Sequence, residues 1–175
     1  MMMRIGAMLA LGLTTGACVY IEDTGPPART LSPTAELREL RAKDEIRELI
    51  HAYGRTLDAR DFAGFAALWA EDAAYVGGGA GGAPVVGPEA IAGQLEAIFA
   101  ANPSGLEGPT AHLFFNEHIE VDGDRATGVS LGAFVAQPPG GEGGAFEMVI
   151  LARYEDVYVI EDGRWKFARR VVRGL

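Results

Sequence analysis

Hydrophobic positions follow two different periods along the chain, a helical period first and a period of two after residue 109. From Thr34 onward, apolar side chains recur every three or four residues, which is the spacing of one face of an α-helix. The clearest stripe consists of Ile46, Leu49, Ile50, Tyr53 and Leu57. The pattern therefore predicts a long amphipathic helix at the start of the folded region.

Two shorter helices are predicted downstream. Asp61 is a residue type favoured at helix N-caps, and the apolar positions after it keep the helical spacing, namely Phe62, Phe65, Leu68 and Trp69. A third helix is expected to begin at Gly87-Pro88, because proline is favoured at the first helical position. A short strand is expected between these two helices, at 73–76.

The second half of the chain alternates with the period of β-strands. Strands are predicted at about 110–121, 125–137, 145–160 and 164–173. The dipeptides Asp122-Gly123 and Asp162-Gly163 are typical of tight hairpin turns. Helices followed by an antiparallel meander indicate an α+β domain in which the helices pack against one face of a curved sheet.

The first 33 residues follow neither period. Residues 1–17 combine Arg4, a short apolar run and small residues before Cys18, as in a signal peptide. The small residues ending in cysteine resemble a bacterial lipobox. We expect a signal peptide at 1–17, lipidation of Cys18, a flexible tether within 18–33 and the domain at 34–175, which predicts an outer-membrane lipoprotein facing the periplasm. Ordinary cleavage near Ala17 and a misassigned start codon are the alternatives.

Composition narrows the choice of partners. The 175 residues include 15 Lys and Arg against 24 Asp and Glu, which gives a net charge of −9. Such a chain repels nucleic acid and anionic lipid surfaces, so any membrane attachment is expected through the lipid alone. The glycine run at 77–82 lacks the Lys-Ser/Thr of a phosphate loop. His51, His118 and Glu120 are expected to face solvent, and we predict no metal and no cofactor.

A string of short motifs resembles the SnoaL-like branch of the nuclear transport factor 2-like superfamily over about residues 36–173. The motifs are IRELIHAY at 46–53, LDARD at 57–61, LWAED at 68–72, GPEAI at 87–91, His112 with Asn116, VDGDRA at 121–126 and GRWKF at 163–167. The resemblance implies a cone, in which a strongly curved sheet wraps the helices and leaves a pocket at its open end. Members include dehydratases, isomerases, cyclases, dehydrochlorinases and non-catalytic binders.

Asp58 and His112 match the catalytic Asp and His of dehydratases and dehydrochlorinases in this family. By helical geometry Asp58 lies about 120° from the centre of the apolar stripe, at the edge of the buried face. His112 lies on the more polar face of its strand. The residues alone leave open whether either side chain faces solvent or a pocket. Leu57 stands where the dehydratases carry Tyr, so the resemblance implies no particular substrate.

Aromatic and polar residues near this pair are expected to bind a small hydrophobic molecule. The predicted substrate-binding residues are Tyr53, Tyr75, Phe114, Asn116, Tyr154 and Arg169. Arg169 is included because it shares the strand parity of Trp165 and Phe167. Two functions remain open, a cofactor-free lyase or isomerase that uses Asp58 and His112, and a non-catalytic lipid-anchored binding module.

The strand predicted at 145–160 carries a second apolar face, formed by Val149, Leu151, Val157 and Val159. An exposed apolar sheet face is a common contact surface, and members of the family often dimerise through it. We therefore expect a homodimer.

Overall fold

A computed structural model describes residues 31–77, 82–102, 108–137 and 144–175. Within these ranges the helices are α1 (Pro33–Asp58), α2 (Phe62–Ala66) and α3 (Pro88–Ala101). The strands are β1 (Trp69–Val76), β2 (Val85–Val86), β3 (Thr110–Asp122), β4 (Arg125–Ala136), β5 (Glu147–Glu161) and β6 (Arg164–Gly174). The predicted signal peptide, Cys18 and most of the predicted tether lie outside the described residues.

The strands form one curved sheet in the order β2-β1-β6-β5-β4-β3. The long strands β3 to β6 pair in sequence as an antiparallel meander, so the predicted α+β class is confirmed. One pairing was not expected from the sequence, because β1 runs parallel to β6. A parallel pair needs a long connection, which α3 and the meander supply.

Side chains cap the first two helices, and the cap at Asp61 confirms the prediction. The Ser32 side chain accepts a hydrogen bond from the Ala35 amide, and Asp61 accepts one from the Gly64 amide. One boundary was wrong: Leu68 and Trp69 do not continue α2, which ends at Ala66. Trp69 instead begins β1, because its buried side chain packs against Phe167 of β6 with ring centroids 5.1 Å apart.

The core lies between the apolar face of α1 and the inner face of the sheet. The residues of the predicted α1 stripe are all buried. Tyr53 occupies the centre of an aromatic cluster, with centroid distances between 5.1 and 6.3 Å to Phe65, Trp69, Phe114, Tyr154 and Phe167. None of the described helices combines the length and the hydropathy that crossing a membrane requires.

Candidate active site

A cavity of about 480 Å³ opens between α1, α3 and the inner face of the sheet. Its volume lies in the range of small-molecule sites. Five lining residues are buried and form its floor, namely Tyr53, Leu57, Tyr75, Leu95 and Tyr154. Four are exposed and form its mouth, namely Arg60, Ala100, Asn102 and Ile150. Between them lie Ile98, Phe99, Thr110, His112, Phe134 and Val172.

Asp58 and His112 are joined by two hydrogen bonds at one side of this cavity. His112 Nδ1 lies 2.7 Å from Asp58 Oδ1, and the His112 backbone N–H donates to Oδ2 at 2.9 Å. Because Nδ1 faces a carboxylate, we assign its proton there, which leaves Nε2 with a lone pair. The His112 side chain is 10% exposed and lines the cavity, whereas Asp58 is 23% exposed and is not among the lining residues.

Gly54 permits the close approach of α1 and β3 that brings the pair together. A Cβ atom at this position would lie 3.0 Å from His112 Cβ and 3.5 Å from the His112 carbonyl oxygen. Glycine inside a helix costs about 1 kcal/mol relative to alanine. Its presence four residues before Asp58 is a sequence signal for a neighbour packed closely against the helix.

A β-bulge explains why His112 faces the cavity. The register of β3 with β4 shifts between Phe115 and His118, so inward and outward positions exchange there. Before the bulge, His112 points inward while Leu113 is 50% exposed; after it, Ile119 is buried. Asn116 lies at the bulge with φ of 57° and is exposed. It does not line the cavity, which corrects its predicted role in substrate binding.

A second bulge corrects the prediction for Arg169. In the pairing of β5 with β6, Tyr158 faces Phe167 but Val157 faces Arg169, so Ala168 is skipped. The parity of β6 therefore changes after Phe167. Arg169 is exposed, and Arg170 takes the inward position.

Arg170 is fully buried and paired with Asp156. Its Nε and Nη2 donate to the two Asp156 oxygens at 2.8 Å each, and the Tyr158 hydroxyl donates to Oδ2 at 2.8 Å. Burial alone lowers the pKa of Arg170, but the charge and hydrogen bonds of Asp156 outweigh it and raise the pKa above its ordinary value. The guanidinium carbon lies 4.2 Å from the Tyr53 ring centroid, so the pair supports the cavity floor.

Two tyrosine hydroxyls are polar groups on the mostly apolar floor of the cavity. The side chains of Tyr53 and Tyr75 are both buried and both line the cavity floor. Burial raises the pKa of Tyr53 and raises the pKa of Tyr75 to about 12. Both hydroxyls therefore stay protonated at neutral pH. Each O–H group can donate a hydrogen bond to a ligand oxygen in the cavity.

The other predicted site residues divide into lining and packing roles. Tyr154 lines the floor, but Phe114 does not line the cavity. Its ring packs against Tyr154 at 5.2 Å and Tyr53 at 5.9 Å, which corrects its predicted contact with substrate. Four further lining residues were not predicted from the sequence, because they lie on four different elements or their ends and share no motif, namely Arg60, Phe134, Ile150 and Val172.

The remaining histidines lie on the surface, as predicted. His51 is exposed, with Nε2 3.8 Å from Glu117, and His118 is exposed beside Glu120. In the described ranges no group of three His, Cys, Asp or Glu side chains is close enough to hold a metal ion.

Comparisons with known proteins support the fold. The SnoaL-like domain model matches residues 38–171. An NTF2-like protein with a cystatin-like fold from Novosphingobium aromaticivorans is 27% identical, covering 81% of this chain and 87% of its own, with a TM-score of 0.66. A proposed scytalone dehydratase from the same organism is 25% identical, with coverages of 82% and 89% and a TM-score of 0.62. LinA is 22% identical, with coverages of 81% and 90% and a TM-score of 0.64, which shows likeness of fold alone. The comparison with curated proteins gives no match.

Proposed function

This chain belongs to the SnoaL-like domain family, and from that premise we propose that it is a cofactor-independent lyase or isomerase acting on a small apolar molecule. The observation that carries the proposal is the hydrogen-bonded Asp58–His112 pair beside a cavity of small-molecule size. The similarity to a proposed scytalone dehydratase supports the same reaction class.

His112 is the general base of the proposed reaction. Its unprotonated Nε2 removes a proton from a carbon of the bound molecule, and Asp58 stabilises the imidazolium that forms. In an elimination, the electron pair of the broken C–H bond forms a C=C bond as a hydroxyl group departs. The imidazolium returns its proton to that hydroxyl, which leaves as water. In an isomerisation, the same proton returns to a different carbon.

The Tyr53–Tyr75 pair stabilises negative charge in this scheme. Removing a proton beside a carbonyl places charge on the carbonyl oxygen, and a donor that is already oriented lowers the barrier. The raised pKa values of both hydroxyls keep them as donors rather than phenolates. The apolar lining then favours a substrate whose body is a ring or a short hydrocarbon.

Dehydration of cyclic β-hydroxy ketones tests the proposal, because the conjugated product is detected by ultraviolet absorbance. We expect His112→Ala to lower turnover by a factor of about 10² to 10⁴, the usual contribution of general acid–base catalysis. His118→Ala is the matched control, because His118 is exposed and outside the cavity. Turnover that survives His112→Ala unchanged would refute the dyad, whereas an absence of turnover by the wild-type chain would favour the binding module.

We also propose that Cys18 is lipidated and that the domain stands on the periplasmic side of the outer membrane. The support is the sequence of residues 1–18, a short apolar run followed by small residues and cysteine. Metabolic labelling of a bacterial host with an alkyne fatty acid tests it. Label on the wild-type chain and none on Cys18→Ser is expected; an unlabelled wild-type chain contradicts the proposal.

A further inference from the structure

Arg60 is the one residue with a permanent charge among the described residues that line the cavity. The other lining residues are apolar or carry hydroxyl, amide or imidazole groups, and no carboxylate is among them. Arg60 is exposed, so its guanidinium lies at the mouth rather than on the floor. On a chain with a net charge of −9, this cation creates local attraction for an anion that the rest of the surface repels.

The Arg60 side chain is held over the mouth by three contacts. Its Nη1 donates to the Leu57 carbonyl at 2.7 Å and lies 3.4 Å from the Thr110 hydroxyl. The guanidinium carbon lies 3.9 Å from the centroid of the Phe99 ring. These contacts engage Nη1 and one face of the guanidinium, and none of them comes from a carboxylate. The contacts therefore fix the position of the charge without neutralising it.

The backbone at Arg60 contributes to this placement. Its φ of 58° is left-handed, just after α1 ends. Glycine or asparagine is usual at this position of a helix terminus, because a larger side chain is strained there. The left-handed turn carries the chain from α1 into α2 with the arginine side chain beside Thr110 of β3.

The spacing along β3 relates Arg60 to the reacting histidine. Thr110 and His112 are two residues apart on one face of β3, which corresponds to roughly 7 Å. Both line the cavity. A negative group at Arg60 therefore places the body of the ligand against His112 and the aromatic floor.

We propose that Arg60 selects an anionic head group, so that the preferred ligand is an apolar ring compound carrying a carboxylate or sulfonate. The inference rests on the proposed small-molecule function of the cavity, but it does not depend on proton transfer. The guanidinium binds the anion at the mouth through its remaining N–H groups. The uncharged part of the molecule fills the interior.

Two fluorescent probes that differ by one sulfonate test this selectivity. They are 8-anilinonaphthalene-1-sulfonate and its uncharged parent, N-phenyl-1-naphthylamine. Arg60→Asn removes the charge and keeps a residue that tolerates the left-handed backbone. We expect it to weaken binding of the sulfonate at least about tenfold, the effect of losing a charged hydrogen bond. Binding of the uncharged probe should change less than about twofold, because that probe makes no charged hydrogen bond with Arg60.

Two further variants and one competition complete the experiment. Arg60→Lys retains the charge and should recover most of the sulfonate affinity. Arg169→Gln removes one exposed arginine outside the cavity and should change neither affinity. The two probes should displace each other from the wild-type chain, as ligands of one cavity must.

Any one of three outcomes would overturn the inference. They are equal affinity of the wild-type chain for both probes, equal weakening of both affinities by Arg60→Asn, and an absence of competition between the probes. The readout is binding rather than turnover. If His112→Ala retains activity, the proposed reaction fails while the Arg60 selectivity stands. If Arg60→Asn has no selective effect, the Arg60 selectivity fails while the proposed reaction stands.

Discussion

The carboxylate of Asp58 accepts two hydrogen bonds from one residue, the ring Nδ1–H and the backbone N–H of His112. One oxygen orients the ring, and the other ties the helix end to the start of β3. The side chain thus fixes both the tautomer of His112 and the place of its backbone. The last residue of a long helix and the third residue of a strand are locked together by a single carboxylate.

Asp58→Asn should disrupt the two hydrogen bonds with His112, although asparagine and aspartate are similar in size. An amide offers one acceptor oxygen and one donor nitrogen, so it cannot accept both hydrogen bonds. If the amide NH₂ faces Nδ1, the ring proton moves to Nε2 and the base is lost. We expect turnover of the β-hydroxy ketone to fall about 10²- to 10⁴-fold. Nitrogen-15 NMR should report a changed His112 tautomer, and an unchanged tautomer with unchanged turnover would contradict the assignment.

Gly54→Ala should lower activity although alanine is the better helix former. Alanine contributes about 1 kcal/mol to helix stability, but its Cβ would lie 3.0 Å from His112 Cβ. A displacement of His112 by about 1 Å lowers turnover by about 10²-fold. Gly93→Ala in α3 is the matched control, because a Cβ there meets nothing within 4 Å. Equal activity of both variants would show that the close approach is not needed.

The Asp58–His112 pairing was predicted from the family resemblance and not from the local pattern. A helical stripe ends at Leu57 and a strand begins near residue 110, but these patterns alone left open whether either side chain faces solvent or a pocket. Asn116 and Arg169 were misplaced because each lies at or just beyond a bulge. A one-residue bulge reverses every later side chain of a strand, and its position depends on the register with the neighbouring strand. No local pattern of apolar residues records that register.

The neighbouring residues Arg169 and Arg170 show that the same unknown strand register limits prediction from the sequence. Two consecutive arginines look equivalent in the sequence, yet one is exposed and the other is fully buried. Only the pairing of β5 with β6 decides which of them meets Asp156.

The buried tyrosines should resist ionisation at high pH. Burial raises the pKa of Tyr53, Tyr154 and Tyr158, and it raises that of Tyr75 to about 12. These are four of the five tyrosines in the chain. Absorbance near 295 nm should therefore show at most one tyrosinate near pH 10, where unperturbed tyrosines are half ionised.

The raised pKa values of these tyrosines determine whether the free energy of unfolding rises or falls at alkaline pH. Above about pH 10 the unfolded chain releases phenolic protons that the folded chain retains, so the free energy of unfolding falls as pH rises. For Tyr75 the contribution is complete below pH 10 and is lost as pH passes its folded pKa of about 12. Urea unfolding measured from pH 8 to pH 11.5 should show this decrease. Constant stability over that range would contradict the burial of the four hydroxyls.

Breaking the Asp156–Arg170 pair should destabilise the fold more than replacing both partners. Asp156→Asn leaves a buried guanidinium without its counter-charge, and such a loss costs about 3 to 5 kcal/mol. The double variant Asp156→Leu, Arg170→Met removes both charges and should cost less than the sum of Asp156→Leu and Arg170→Met made singly. Urea unfolding measures the double variant and the three single variants. Additive losses would mean that the two side chains are not coupled, contrary to their 2.8 Å contacts.

Dimerisation through the outer sheet face is the last prediction. Leu113 and Phe115 of β3 are exposed, and Leu113 lies in one row with the buried Ala133 of β4 and the half-buried Leu151 of β5. An apolar row on a sheet face gains free energy when a second copy covers it. A chain that begins after Cys18 should therefore be a dimer by light scattering, and Leu113→Lys should make it monomeric. Leu40→Lys is the matched control, because Leu40 is 58% exposed but lies on α1. A monomeric wild-type chain, or equal dissociation by both lysines, would exclude this face as the interface.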